Sequence, residues 1–136
     1  MDKVFLDTNV ILDHLLARPS FDADARRFFE KAERGEIELY ASALSFCNIA
    51  YIVRKLKSAS DVHPILTDLS LLVTITPIES VTIAQALAAG YRDFEDAVQY
   101  YSALGFGGLT HFLTRNKSDF QASSLPVLTP AEYWAI

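Results

Sequence analysis

The sequence predicts a three-layer α/β/α domain with a mostly parallel central sheet. Short apolar segments alternate with segments whose apolar residues recur at helical spacing, such as Phe21, Ala25 and Phe28. Strands that are separated by helices form parallel sheets, because each helical crossover returns the chain to the same edge of the sheet. The length of 136 residues suits one domain, and no linker, repeat or low-complexity segment divides it. We therefore expect a single domain over residues 1–136.

Five short segments are predicted to be strands. Each is apolar or alternates apolar with polar residues, and each is bounded by residues that favour turns or helix caps. The segment Gly105–Gly108 precedes the fourth of them as a turn, and since it does not open a helix it lacks the context of a phosphate-binding loop. In chain order the predicted strands are Val4–Leu6, Ile37–Ala41, Val73–Thr76, Thr110–Thr114 and Val127–Leu128.

Helices are predicted where helical periodicity lies between a capping residue and a stop residue. Ser42 can cap the third helix, and Pro19, Gly35, Gly90 and Gly105 are the stop residues of others. In chain order the predicted helices are Asn9–Leu16, Phe21–Arg34, Ala43–Leu56, Asp61–Leu72, Ser80–Ala89, Glu95–Leu104 and the terminal turn Pro130–Trp134.

Composition excludes several classes of protein. The net charge of −5 and the pI near 5.1 argue against nonspecific nucleic-acid binding through bulk charge, although they leave a local basic site open. No apolar stretch approaches the ~20 residues that span a bilayer, and no signal peptide is evident, so we expect a cytoplasmic protein without membrane contact. Cys47 is the single cysteine, which excludes a disulfide framework, and its apolar neighbours predict a buried thiol.

Asp7 is the first candidate site residue. It follows the first predicted strand directly, and Thr8 and Asn9 can cap the next helix. Open α/β sheets place their active sites at the carboxyl ends of strands, where this carboxylate lies. The alternative is that Asp7 only ends the strand and caps the helix.

Asn48 is a lone amide on an otherwise apolar helix face. Leu44, Tyr51 and Ile52 flank it at helical spacing, and no acidic residue occurs between Glu38 and Asp61. A buried amide without a partner costs roughly 1–3 kcal/mol, so a polar group must face it. Asn48 is therefore either a satisfied core residue or a ligand in a site.

Two further polar clusters fall near predicted element ends. The segment Asp93–Asp96 precedes a helix, where Asp93 can act as N-cap and Asp96 can also point toward a cleft. The segment Thr114–Phe120, TRNKSDF, follows the fourth strand and offers Thr114, Asn116 and Asp119 at another carboxyl edge. The first cluster can cap its helix and face a cleft at the same time, whereas the second would by itself be an ordinary loop.

Taken together, these motifs resemble the PIN-domain family of metal-dependent ribonucleases, including VapC-like toxins of toxin–antitoxin pairs. The resemblance covers nearly the whole chain: FLDTNVILD at Asp7, the helix around Asn48, DFEDAVQYYSA at Asp96, TRNKSDF and the ending PVLTPAEYW. It implies a compact α/β/α fold whose acidic residues bind one or two Mg²⁺ or Mn²⁺ ions and hydrolyse RNA phosphodiesters.

The resemblance assigns roles residue by residue. The family's first and third acids correspond to Asp7 and Asp96, and its fourth position, Asp or Asn, corresponds to Asn116. Its second acid is usually a glutamate, where this chain has Asn48, a change that keeps a carbonyl ligand but removes one negative charge. Asp119 can supply the missing carboxylate. Supporting roles would fall to Thr8, Asn9, Asp93, Thr114 and Arg115.

The resemblance also implies an RNA substrate, an antitoxin protein and a homodimer. Arg115 and Lys117 flank the fourth position and are the cations best placed for RNA, whereas Arg54, Lys55 and Lys57 at a helix end are typical of a solvated face. The alternative function is a weakened module that binds RNA or a protein without cleaving. A phosphoaspartyl hydrolase is excluded because that chemistry pairs its nucleophile with an Asp two residues later, where this chain has Asn9.

Overall fold

A computed structural model describes residues 1–120 and 124–136 of the chain. Five strands alternate with helices: β1 (Lys3–Leu6), β2 (Glu38–Ser42), β3 (Val73–Thr76), β4 (His111–Leu113) and β5 (Val127–Leu128). The helices are α1 (Thr8–Leu15), α2 (Asp22–Glu33), α3 (Ala43–Leu56), α4 (Val62–Leu72), α5 (Ser80–Ala88), α6 (Phe94–Phe106) and α7 (Pro130–Trp134), with short 3₁₀ turns at Ala59–Asp61 and Lys117–Phe120.

All five strands belong to one sheet in the order β3-β2-β1-β4-β5, and every pair is parallel. The predicted α/β class is confirmed, with a sheet that is parallel throughout. The first strand of the chain lies at the centre, between β2 and β4. The residues that follow β1, β2 and β4 therefore meet at one edge of the sheet.

The side chains of β1 divide the core into two layers. Val4 and Leu6 point to one face and pack in the cluster covered by α1, α2, α3 and α7. Phe5 points to the other face, where it stacks on Phe112 at 4.8 Å between ring centroids, beneath Tyr100 of α6. This alternation is the period of two that a strand buried on both faces requires. It produces the predicted three-layer arrangement.

The sequence-based element bounds hold within a few residues, with one wrong stop signal. Gly105, predicted to end the sixth helix, lies inside α6, and the helix continues to Phe106. Gly107 ends it with a φ of 83°, a left-handed conformation that glycine adopts without steric cost. Cys47 also differs from expectation, because it lies on an exposed part of α3 instead of in the core.

Within the described ranges, none of the helices combines the length and the apolar character that crossing a bilayer demands.

Candidate acidic site at the carboxyl edge of the sheet

Asp7 lies directly after β1 and is almost fully buried, with 3% of its surface exposed. It occupies the N-cap position of α1, yet its side chain makes no capping hydrogen bond. Its Oδ1 accepts a hydrogen bond from Gln99 Nε2 at 3.0 Å, and its Oδ2 accepts one from Thr114 Oγ1 at 2.8 Å. Burial raises the pKa of Asp7, and these two hydrogen bonds only partly offset that rise. The carboxylate is therefore positioned mainly by Gln99 and Thr114, which belong to other parts of the fold.

The first turn of α6 brings three more acids to the same edge. Asp93 is the N-cap, and its Oδ1 accepts a hydrogen bond from the Asp96 backbone N–H at 3.2 Å, as the capping interpretation predicted. Burial raises the pKa of Asp96, charge repulsion from Asp7, Asp93, Asp119 and Glu95 adds to the rise, and together they bring the pKa to about 7. Negative charge at this edge is thus poorly compensated.

Asn48 faces the same acids from α3. Its Nδ2 donates a hydrogen bond to Glu95 Oε2 at 3.2 Å. This carboxylate is the polar group that the apolar surroundings of Asn48 require. The contact joins α3 to α6 across the site and places a carboxylate beside the amide.

These side chains line a cleft of about 310 Å³. Its polar lining consists of four carboxylates, one hydroxyl and three side-chain amides. Its apolar wall is formed by Leu12, Tyr51 and Ile52. No lysine, arginine or histidine is among the lining residues, which are Asp7, Thr8, Asn9, Leu12, Asn48, Tyr51, Ile52, Asp93, Glu95, Asp96 and Gln99. The cleft is an anionic, oxygen-rich surface.

The segment after β4 reaches the site only in part. Thr114 is buried and contacts Asp7, and its Oγ1 also accepts a hydrogen bond from the Asn116 backbone N–H at 3.2 Å. Asp119 lies near enough to Asp96 to raise its pKa, but neither Asp119 nor the exposed Asn116 lines the cleft. Of the predicted site, Asp7, Asp96 and Asn48 are brought together, with the Thr114–Phe120 segment at their margin.

Arg115 points away from the cleft. Its Nε lies 3.2 Å from Oδ2 of the buried Asp13, and its guanidinium stacks over the Phe21 ring at 4.3 Å. Lys117 is paired with Glu132 at 3.1 Å. Both cations that the sequence placed beside the fourth position are therefore engaged in ion pairs.

The model of a protein family described as PIN domain matches residues 3–118. The chain belongs to the PIN-domain family. No curated protein is similar enough in sequence to be matched with it.

Chains of solved structures share the fold of this PIN domain at low identity. A toxin-antitoxin complex from Klebsiella pneumoniae is 20% identical, with 93% of this chain and 97% of that chain covered and a TM-score of 0.66. A DNA-bound VapBC from Salmonella typhimurium is 15% identical over 96% and 99% of the two chains, with a TM-score of 0.66. VapBC2 from Rickettsia felis, bound to promoter DNA, is 14% identical over 93% and 98%, with a TM-score of 0.68.

The donor set of this PIN domain has the chemistry of a site for a hard divalent cation. Such ions prefer carboxylate and carbonyl oxygens, and these are the groups that Asp7, Asp96, Glu95 and Asn48 present. Among residues 1–120 and 124–136, however, no three His, Cys, Asp or Glu side chains already stand close enough together to hold a metal. The residues fit an ion that keeps several water ligands, as Mg²⁺ does.

Three residues at the site went unrecognised in the sequence: Gln99, Ser45 and Glu95. Gln99 lies three residues after Asp96, so the two share a helix face, and this spacing was a usable signal. Ser45 follows the cap residue Ser42 by three positions, and its backbone N–H donates to the Ser42 Oγ at 3.2 Å. The sequence showed Glu95 only as one of several acidic residues in the segment Asp93–Asp96, with no separate signal of a site role.

Proposed function

We propose that this PIN domain is a divalent-metal-dependent endoribonuclease. The observation that carries the proposal is the meeting of Asp7 and Asp96 at the carboxyl edge of the sheet, in a cleft whose lining residues include no cation. Burial and the repulsion of the neighbouring acids together raise the pKa of Asp96 to about 7. A bound cation would relieve this repulsion, which is the reason to expect one.

Asp7, Asp96 and Asp119 are the proposed carboxylate ligands, and Asn48 and Asn116 the proposed carbonyl ligands. A bound Mg²⁺ or Mn²⁺ ion would supply an activated water and positive charge against the charge that develops on a phosphodiester. The proposed ligands are oriented by hydrogen bonds from supporting residues, which are Thr8, Asn9, Asp93 and Thr114. Arg115 stabilises the segment after β4 from outside the cleft.

The neutral Asn48 lowers the charge available for a metal. Its hydrogen bond to Glu95 brings a carboxylate to the same place from α6, so the charge is partly restored by a neighbouring element. We expect metal binding that is weaker than four carboxylates would give, with activity that depends on the ion supplied.

The partners we propose are RNA as substrate, an antitoxin protein and a second copy of the chain. The solved neighbours that are VapBC or toxin-antitoxin complexes support the antitoxin. A small reading frame that overlaps this one upstream would support the toxin function, and co-expression with its product would test it. Copurification of the two chains with loss of RNA cleavage supports the toxin function, and cleavage unaffected by that product argues against it.

The test of the nuclease is cleavage of fluorescent single-stranded RNA in Mn²⁺, Mg²⁺ or chelator. Asp7→Asn keeps the shape of the central side chain and removes its charge, while Asp68→Asn, an exposed acid on α4, is the matched control. We expect metal-dependent cleavage that Asp7→Asn abolishes and Asp68→Asn retains. Cleavage that persists in chelator, or in Asp7→Asn, would place the activity elsewhere.

A binding module without cleavage is the second candidate function. The amides Asn48 and Asn116, which stand where carboxylates would strengthen a metal site, favour it. Asn48→Glu separates the two candidates. Cleavage gained by this variant and absent from the native protein indicates a site disabled at that position. No Mn²⁺ binding by either folded protein, together with no cleavage, supports the binding module.

A further inference from the structure

Gln99 is a buried residue in the lining of the cleft whose side-chain amide is in hydrogen-bond contact with several neighbouring polar groups. It is 3% exposed and lies on α6, one turn after Asp96. Its Nε2 donates to Asp7 Oδ1 at 3.0 Å. Its Oε1 accepts from the Thr8 backbone N–H at 3.1 Å, from Thr8 Oγ1 at 3.3 Å and from Ser45 Oγ at 3.2 Å. One amide thus joins the ends of β1, α3 and α6.

The orientation of this amide is determined by its neighbours. The Thr8 backbone N–H can only donate, so the atom that faces it must be the amide oxygen. The amide nitrogen is then left facing Asp7. The Thr8 Oγ1 and Ser45 Oγ atoms lie 2.7 Å apart, so one hydroxyl donates to the other and the remaining hydroxyl proton is free for the Gln99 oxygen.

Gln99 and Thr114 hold the Asp7 carboxylate from two sides. Each carboxylate oxygen accepts one of these hydrogen bonds, and each keeps a further lone pair. A carboxylate fixed in this way loses little rotational freedom when it binds a ligand from the cleft. The amide does this without adding charge to a region that already holds Asp7 and Asp96.

We propose that Gln99 is a positioning residue for Asp7, which it locks in the orientation used for the metal. The inference rests on the proposed metal-dependent function. It adds that the ligand geometry is set from α6 and α3, through a neutral amide whose oxygen accepts from the Thr8 backbone N–H and from the Thr8–Ser45 hydroxyl pair. Loss of this amide lowers metal affinity and turnover, while RNA binding in the absence of metal stays the same.

The test compares Mn²⁺ binding by calorimetry in the native protein, Gln99→Met and Ser102→Ala. Methionine keeps the length of the side chain but removes the donor to Asp7. Ser102 is the matched control, since it lies one turn further along α6, is 2% exposed, and contacts Thr76 Oγ1 at 2.6 Å and the Pro77 carbonyl at 2.8 Å instead of Asp7. Thermal melts in chelator report the structural cost of each change.

We expect the Kd for Mn²⁺ to rise about 10–100-fold in Gln99→Met and to stay within twofold of native in Ser102→Ala, although both variants melt at lower temperature. In RNA cleavage, kcat falls and KM is unchanged. A native-like Kd in folded Gln99→Met overturns the positioning role and leaves the nuclease proposal standing. A native protein that binds no Mn²⁺ overturns the proposed function and, with it, this inference.

Ser45→Ala provides a second measurement if Gln99→Met does not fold. It removes one of the donors that hold the Gln99 oxygen and leaves the amide itself in place. We expect the Kd for Mn²⁺ to rise at least about threefold, which is a smaller rise than the one expected for Gln99→Met. An unchanged Kd in this variant overturns the positioning role.

Discussion

Removing the charge of Asp96 should make the metal-free protein more stable. Burial and four neighbouring acids raise the pKa of Asp96 from 3.8 to about 7. The folded state therefore binds a proton more tightly than the unfolded state does, and ionisation of Asp96 opposes folding. Asp96→Asn keeps the shape of the side chain and removes this penalty. Its stabilising effect should therefore grow as the pH rises above 3.8, where the unfolded carboxyl ionises, and level off above about 7, where the folded carboxyl ionises as well.

The size of the effect follows from the shift. At about 1.36 kcal/mol per pKa unit, the rise in pKa corresponds to an upper limit of about 4 kcal/mol. Part of the side chain faces solvent, which screens the repulsion and brings the figure to about 2 kcal/mol. The substitution also removes a favourable charge from the first turn of α6, worth about 0.5 kcal/mol. We expect a net gain of about 1–2 kcal/mol above pH 7.

Urea denaturation in chelator at pH 8 and pH 4 measures the prediction. The gain should be present at pH 8, shrink as the pH falls from 7, and be nearly gone at pH 4, where the folded carboxyl is neutral and the unfolded one is close to its own pKa. Asp68→Asn is the control and should change the free energy of unfolding by less than about 0.5 kcal/mol at either pH. An Asp96→Asn protein that is less stable than native at pH 8, or equally stabilised at pH 4, would refute the reasoning.

Three further substitutions test contacts around the site. Asn48→Glu puts a carboxylate against Glu95, so it should lower the melting temperature in chelator. The same change should tighten Mn²⁺ binding about tenfold by calorimetry. Weaker Mn²⁺ binding would contradict the proposed ligand role of position 48. Arg115→Met leaves the buried Asp13 with one fewer cation and should cost about 2–3 kcal/mol in urea, whereas a cost below 1 kcal/mol would show the ion pair to be dispensable. Trp134→Ala removes a ring that packs on the α2 side of the core and should cost about 2–3 kcal/mol by the same measurement, with native stability the contrary result.

The fold was accessible from sequence because local signals agreed with one another. Caps, stops and periodicity mark nearly every element, and parallel strands follow from helical crossovers alone. The order of strands in the sheet was not accessible, since no local signal says that β1 lies between β2 and β4. The stop at Gly105 was misplaced because Gly105 and Gly107 look alike in sequence, and only the backbone geometry distinguishes them.

The candidate site was accessible where a residue was unusual for its surroundings. Asp7 after an apolar strand and Asn48 on an apolar face were such residues, and the structure brings both to the cleft. Gln99 was missed because a glutamine within a helix is ordinary, and its importance depends on contacts with residues up to 92 positions away. The orientation of the Arg115 side chain could not be predicted either, because its ion-pair partner Asp13 lies far away in the sequence.

The central place of β1 in the sheet has a consequence during protein synthesis. Asp7 leaves the ribosome well before its hydrogen-bond partners, which lie 92 and 107 residues further along the chain. Contacts of such long sequence separation form late and slowly, because a large loop must be closed before they can stabilise anything. A nascent chain therefore carries Asp7 without the cleft around it. If the domain cleaves RNA, the ribosome and messenger that produce it are not exposed to that activity until the chain has been made at least as far as Thr114.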